Sequence, residues 1–71
     1  MGDKMSRENG FVNTYDDFKC FGFIRREKGK DVYFSIDDFS DDIVHVSIGT
    51  KVNFDTSKES KGPRARNILI E

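Results

Sequence analysis

Apolar and polar residues alternate along most of this chain with a period of two, not 3.6. That period predicts strands. Phe11-Val12-Asn13-Thr14-Tyr15 is the first, rich in β-formers, and Asp16-Asp17 reads as the turn after it. Cys20 to Ile24 is the second, with Phe21 and Phe23 on one face and Gly22 and Ile24 on the other. Arg26 to Lys30 reads as a hairpin turn, with Gly29 free to take a positive φ. Val32 to Ile36 is the third strand, with Val32 and Phe34 on one side and Tyr33 and Ser35 on the other. Asp37 to Ile48 is irregular, with one helical turn expected near Ile36 to Phe39, and Gly49 turns the chain. Lys51 to Thr56 alternates again, Lys58 to Gly62 is a polar loop, and Arg64 to Ile70 is the last strand. Pro63 fits at a strand start, where no N–H is needed. Met1 to Asn9 reads as a loose arm, leaving 10–71 as the folded domain.

Five short strands separated by turns point to an all-β fold, a small closed barrel, because closure removes exposed edges without a second layer. The expected core is Val12, Gly22, Ile24, Val32, Phe34, Val52, Phe54, Ile68 and Ile70. If Gly22, Ile24, Val32 and Phe34 point inward, then Phe21, Phe23 and Tyr33 point outward. Alternation alone leaves the opposite assignment open, with the rings as core and Gly22 as a bulge. Rings on an exposed sheet face would be a binding surface, and nucleobases stack on such rings at about 1–3 kcal/mol per base.

Charge complicates this picture. The net charge is −1, but it is segregated. Residues 1–30 carry seven Lys/Arg and five Asp/Glu, residues 31–57 carry Lys51 against six Asp, and residues 58–71 carry four Lys/Arg and two Glu. A whole-protein attraction to nucleic acid is therefore not predicted, and binding must come from a local patch. Taken singly, each cluster is ordinary solvated surface. The basic residues nevertheless flank the aromatic pair: Lys19 before it, Arg25-Arg26 after it, and Lys58, Lys61, Arg64 and Arg66 around the last turn. Rings for bases beside cations for phosphates are what single-strand binding requires. The acidic block Asp37, Asp38, Asp41 and Asp42 opposes a polyanion.

Three motifs in order resemble the cold-shock domain family. Lys19-Cys20-Phe21-Gly22-Phe23-Ile24 is similar to its first RNP motif, K-G-F-G-F-[IV]. Asp31-Val32-Tyr33-Phe34-Ser35-Ile36 resembles the second, and Lys61-Gly62-Pro63-Arg64-Ala65-Arg66-Asn67-Ile68 resembles the closing strand, x-G-P-x-A-x-N-V. The likeness runs from about Gly10 to Ile70. It implies a five-stranded antiparallel OB-type barrel that binds single-stranded RNA or DNA on its second and third strands, RNA more than DNA, as an RNA chaperone or regulator of expression. It implies stacking by Phe21, Phe23 and Tyr33, an aromatic role for Tyr15, and a basic contact from Lys19. Thr14, Ser35 and Ile36 depart from it, standing where the family has tryptophan, histidine and an aromatic. At roughly 1 kcal/mol or more each, those losses lower affinity by about two orders of magnitude. Phe18 and Phe39 are extra rings near the proposed face, though packing onto the barrel end is the preferred reading of Phe39; Arg25, Lys61, Arg64 and Arg66 are cations for the backbone, and Ser35 shares Tyr33's side of the third strand.

The departures motivate a second reading. The barrel could instead present its aromatic face, or the acidic 37–42 loop, to a protein partner. Other chemistry finds little support. Cys20 and His45 lack a third group to orient them as a nucleophilic pair. One cysteine cannot form an internal disulfide, and one Cys with one His cannot make a structural zinc site. The aspartates lack calcium-loop spacing, and no glycine loop cradles phosphate. No apolar run approaches the roughly 18 residues of a membrane span, and the N-terminus lacks a signal-like stretch. The expectation is a monomeric, cytoplasmic, non-enzymatic domain without metal or cofactor.

Overall fold

The computed structural model of the chain describes residues 7–41 and 45–71. Five strands form in sequence: β1 (Glu8–Asp16), β2 (Phe21–Arg26), β3 (Val32–Ser35), β4 (Lys51–Glu59) and β5 (Gly62–Ile70), with one 3-10 turn at Ile36–Asp38. They close into a barrel in the order β1-β2-β3-β5-β4, with β4 returning to β1. The all-β closed barrel is therefore as the alternation predicts. One contact departs from the antiparallel expectation: β3 meets β5 in parallel, with Tyr33 opposite Arg64.

The elements run longer than the alternation suggested. Glu8 and Asn9, assigned to the arm, are strand residues that pair with Phe54 and Asn53. β4 continues through Lys58 and Glu59, which pair with Pro63 and Gly62, so the loop before β5 shrinks to Ser60 and Lys61. Polar side chains do not stop a strand whose backbone has a partner. Cys20 lies just outside β2, and Ile36 starts the 3-10 turn.

The core is Val12, Ile24, Val32, Phe34, Phe39, Val52, Phe54, Ala65 and Ile68, with Gly22 buried among them. Ile70 was expected here and is instead 41% exposed, while Ala65 is fully buried. The cause is a register shift opposite Asn53–Asp55 together with a left-handed Asn67 (φ 52°), which puts three steps between the inward Ala65 and Ile68. Ile70 is the last residue of β5, and its side chain stays partly exposed at the strand end.

Gly22 sits across from a second irregularity, between Val12 and Thr14 of β1. A Cβ on Gly22 would overlap the Thr14 carbonyl oxygen and lie 2.9 Å from Tyr15 Cα. Only glycine lets the two strands approach this closely.

Cys20 has a left-handed backbone, φ 63°, and an exposed side chain that approaches the Asp17 carbonyl at 3.7 Å and lies near the Tyr15 phenol. Left-handed geometry costs an L-residue about 1–2 kcal/mol, and glycine's extra unfolded-state freedom takes back about 0.5–1 kcal/mol. Cys20→Gly is thus expected to stabilise the fold by about 0.5–1 kcal/mol, raising Tm by a few degrees in a domain of this size. A thermal melt showing an unchanged or lower Tm contradicts that account.

Candidate nucleic-acid interface

Strand pairing determines which rings meet. β2 and β3 align Phe23 with Tyr33 and Phe21 with Ser35. Gly22, Ile24, Val32 and Phe34 are buried between the strands' inner sides, so Phe21, Phe23 and Tyr33 share the outer face. The open alternative, rings inside the barrel, is excluded. Phe21 lies 5.7 Å from Tyr33 with planes 29° apart, and Phe23 meets Tyr33 edge-on at 6.0 Å and 77°. Phe23 is 39% exposed, and the other two rings are half-buried. Thr14 extends the row, paired with Phe23 on the β1 side and exposed.

The β1–β2 turn is built on Asp16. Its Oδ1 accepts the backbone N–H groups of Phe18 (3.0 Å) and Lys19 (3.2 Å), an Asx turn. The turn leaves the Phe18 ring 89% exposed. Tyr15 goes the other way. It stacks on Phe34 at 5.9 Å and 9°, and burial, then the nearby Cys20, pushes its phenol above the usual value.

Two expected contact residues have other uses. Phe39 is buried, edge-on to Phe34 at 5.7 Å and bridged through its backbone to Ile68. It packs with the core at the barrel end. Ser35 caps the 3-10 turn: its Oγ accepts from Asp37 N–H at 3.3 Å, and its own N–H donates to Asp38 Oδ2 at 2.9 Å. Ile36 packs against the core.

Asp38 changes the electrostatics most. As a sequence residue it belonged to a repelling acidic loop. In the fold it is 5% exposed and accepts from Arg64 Nε at 3.0 Å and Arg64 Nη2 at 3.3 Å. Arg66 adds an ion pair at 3.7 Å and reaches Glu59 at 3.8 Å. The hydrogen bond to Asp38 is the main reason the Arg64 guanidinium holds its proton more tightly than usual. Because Arg64 is opposite Tyr33 across the parallel β3–β5 contact, its guanidinium sits 5.3 Å from the Tyr33 ring centre. Arg25 is similarly committed, to Asp31 at 2.6 Å. Asp37 and Asp41 remain exposed, and Asp42 lies outside the described residues. Lys19 and Lys61 are exposed, and among the described residues neither has a carboxylate within ion-pair distance.

Beside the rings lies a groove of about 460 Å³ between Phe23 and Tyr33 on one side and Glu59 to Arg64 on the other. No group of three metal-ligating side chains occurs among the described residues, and no helix there is long and apolar enough to cross a membrane.

The geometry matches known proteins. Residues 8–70, the whole barrel, match the 'Cold-shock' DNA-binding domain. The chain belongs to the cold-shock domain family. The cold-shock domain family is a nucleic-acid-binding family. Among its relatives is a "Retron Se72 cold shock-like protein" of Salmonella heidelberg, 50% identical over 60 residues that cover 82% of this chain and 90% of the relative. Another is "Cold shock protein CspC" of Bacillus subtilis, 37% identical over 62 residues, covering 86% and 94%. Among solved structures, "drosophila Unr CSD456" superposes with a TM-score of 0.81 at 22% identity, covering 94% of this chain and 27% of its own, a likeness of fold alone. In this cold-shock domain the ring face follows from strand alternation. The buried Asp38 with its two arginines could not be read that way, because Asp38 and Arg64 are 26 residues apart.

Proposed function

We propose that this cold-shock domain binds single-stranded nucleic acid on the outer face of β2 and β3, with bases stacked on Phe21, Phe23 and Tyr33 and phosphates held by Lys19 and Lys61. The observation that carries this reading is the contiguous cluster of three outward rings, which the core does not need. Phe18 is a fourth ring open to a ligand. RNA is the expected class and keeping it unpaired the expected role, on the strength of the family resemblance. The retron in the name of the 50% identical relative supports a narrower setting, with this chain acting on the nucleic acid of a retron.

Titration of fluorescent heptameric oligo-U and oligo-dT at low salt tests the binding. With two free lysines at the face, log K is expected to fall against log salt with a slope of about −1.5, roughly −0.7 per phosphate contact. No binding at high micromolar concentration overturns the reading. That absence would favour the second reading, an apolar contact surface for a protein, which the ion-paired Arg25, Arg64 and Arg66 also suit.

A further inference from the structure

Arg64 is held unlike a phosphate-binding side chain. The two hydrogen bonds to Asp38 use Nε–H and one proton of Nη2. A guanidinium has five N–H donors in a fixed plane. The remaining edge, both protons of Nη1 and the second of Nη2, is a preset bidentate fork. Its orientation is fixed twice over, by a carboxylate that is itself buried and by the Tyr33 ring 5.3 Å away. Charge argues against a phosphate here. Arg64 and Arg66 face Asp38 and Glu59, two cations against two anions, so these four cancel and the groove's surplus positive charge is that of Lys61. A neutral acceptor pair suits such a fork better than a polyanion backbone does.

Nucleobases differ in which of them offers such a pair. Guanine presents O6 and N7 as adjacent acceptors, the partner of a bidentate arginine. Adenine puts a donor next to N7, uracil has no second acceptor beside O4, and cytosine, which has the adjacent acceptors O2 and N3, lacks the N1–H and N2–H₂ donors. On the same wall of the groove as Arg64, Glu59 supplies an acceptor. Its Oε2 takes the Ser57 hydroxyl at 2.8 Å, leaving Oε1 for a ligand. Guanine alone among the bases combines the O6/N7 acceptor pair with N1–H and N2–H₂ donors on its other edge. The exposed Phe23 ring lines the groove and offers a stacking surface.

Resting on the single-strand reading above, we propose that the groove beside Phe23 is a guanine-selective subsite in which Arg64, aligned by Asp38, reads O6 and N7 and the neighbouring Glu59 accepts from N1–H, next to O6. The domain then has a sequence preference at one position of an otherwise tolerant stacking face.

The test compares U7 with U7 carrying one central guanine, adenine or 7-deazaguanine, titrated onto the wild-type chain and onto Arg64→Lys. The wild type is expected to bind the guanine strand about tenfold or more tighter than U7, the discrimination of one bidentate pair. 7-Deazaguanine, which lacks the N7 acceptor, is expected to lose most of that gain with the protein untouched. Arg64→Lys keeps the charge and loses the fork, so it is expected to bring the guanine strand down to the level at which the same variant binds U7. Equal binding of guanine and 7-deazaguanine strands overturns the proposal. So does an equal loss on every strand in Arg64→Lys, which assigns Arg64 to the backbone. Failure of the wild type to bind any strand overturns the single-strand reading itself, a distinct result.

Discussion

Gly22→Ala is expected to cost the barrel about 3 kcal/mol or more. The added methyl would overlap the Thr14 carbonyl oxygen, with Tyr15 Cα at 2.9 Å and the Phe34 ring at 3.0 Å. The first two are backbone atoms of the strand paired with β2 and cannot rotate away. Relief requires β1 and β2 to separate at their bulge, which also disturbs the Phe34 ring at the centre of the core. Overpacking in a close-packed site costs about 1–3 kcal/mol, more where the backbone must shift. A domain of 71 residues has about 4–10 kcal/mol in total. The expected drop in Tm is therefore about 15 °C or more. Circular dichroism on heating measures it directly, and a loss under about 1 kcal/mol would mean the two strands are not in this contact.

Phe21→Ala combined with Phe23→Ala is expected to lower affinity for a single-stranded heptamer by about 100-fold or more while the protein stays folded. Each ring contributes about 1–3 kcal/mol by stacking, and the pair flanks Tyr33, so removing both also strips Tyr33 of its neighbours. Both rings lie outside the buried core. Phe11→Ala is the matched control, because Phe11 is also 39% exposed but lies on β1, paired with Arg25 and Lys51 and away from the ring cluster. The control is expected to bind within twofold of the parent. Equal losses in both proteins would show that the effect is general hydrophobic exposure and not a stacking platform.

Alternation carried most of the fold because a barrel strand has one inward and one outward side. Val32, Tyr33, Phe34 and Ser35 show it directly, buried and half-buried in turn, and the same rule puts Phe21 and Phe23 outside. It fails where the backbone leaves the period. Between Ala65 and Ile68 the left-handed Asn67 adds a step, so the small Ala65 is core, while the large Ile70, on Ile68's side, is surface because β5 ends there. An asparagine within a strand is a weak hint of that break, and no stronger one exists in this segment. Charge was harder to read than shape. Four aspartates in a loop look like a repelling surface, yet Asp38 folds inward to hold Ser35, Arg64 and Arg66. That exchange removes one anion from the surface and also commits two cations of the expected patch. The net charge of −1 hides both changes, because pairing alters which charges are free without altering their sum.

The most direct test of the central claim, that the outer face of β2 and β3 is the binding platform, is a ¹H–¹⁵N chemical-shift map of the domain titrated with a short single strand. The account predicts the largest shifts at Phe18, Lys19, Phe21 to Phe23, Tyr33 and Lys61 to Arg64, with Phe11, Lys51 and Leu69 nearly still. Shifts centred on Phe11, Lys51 and Leu69, or a ring face that does not respond at saturating ligand, would contradict it.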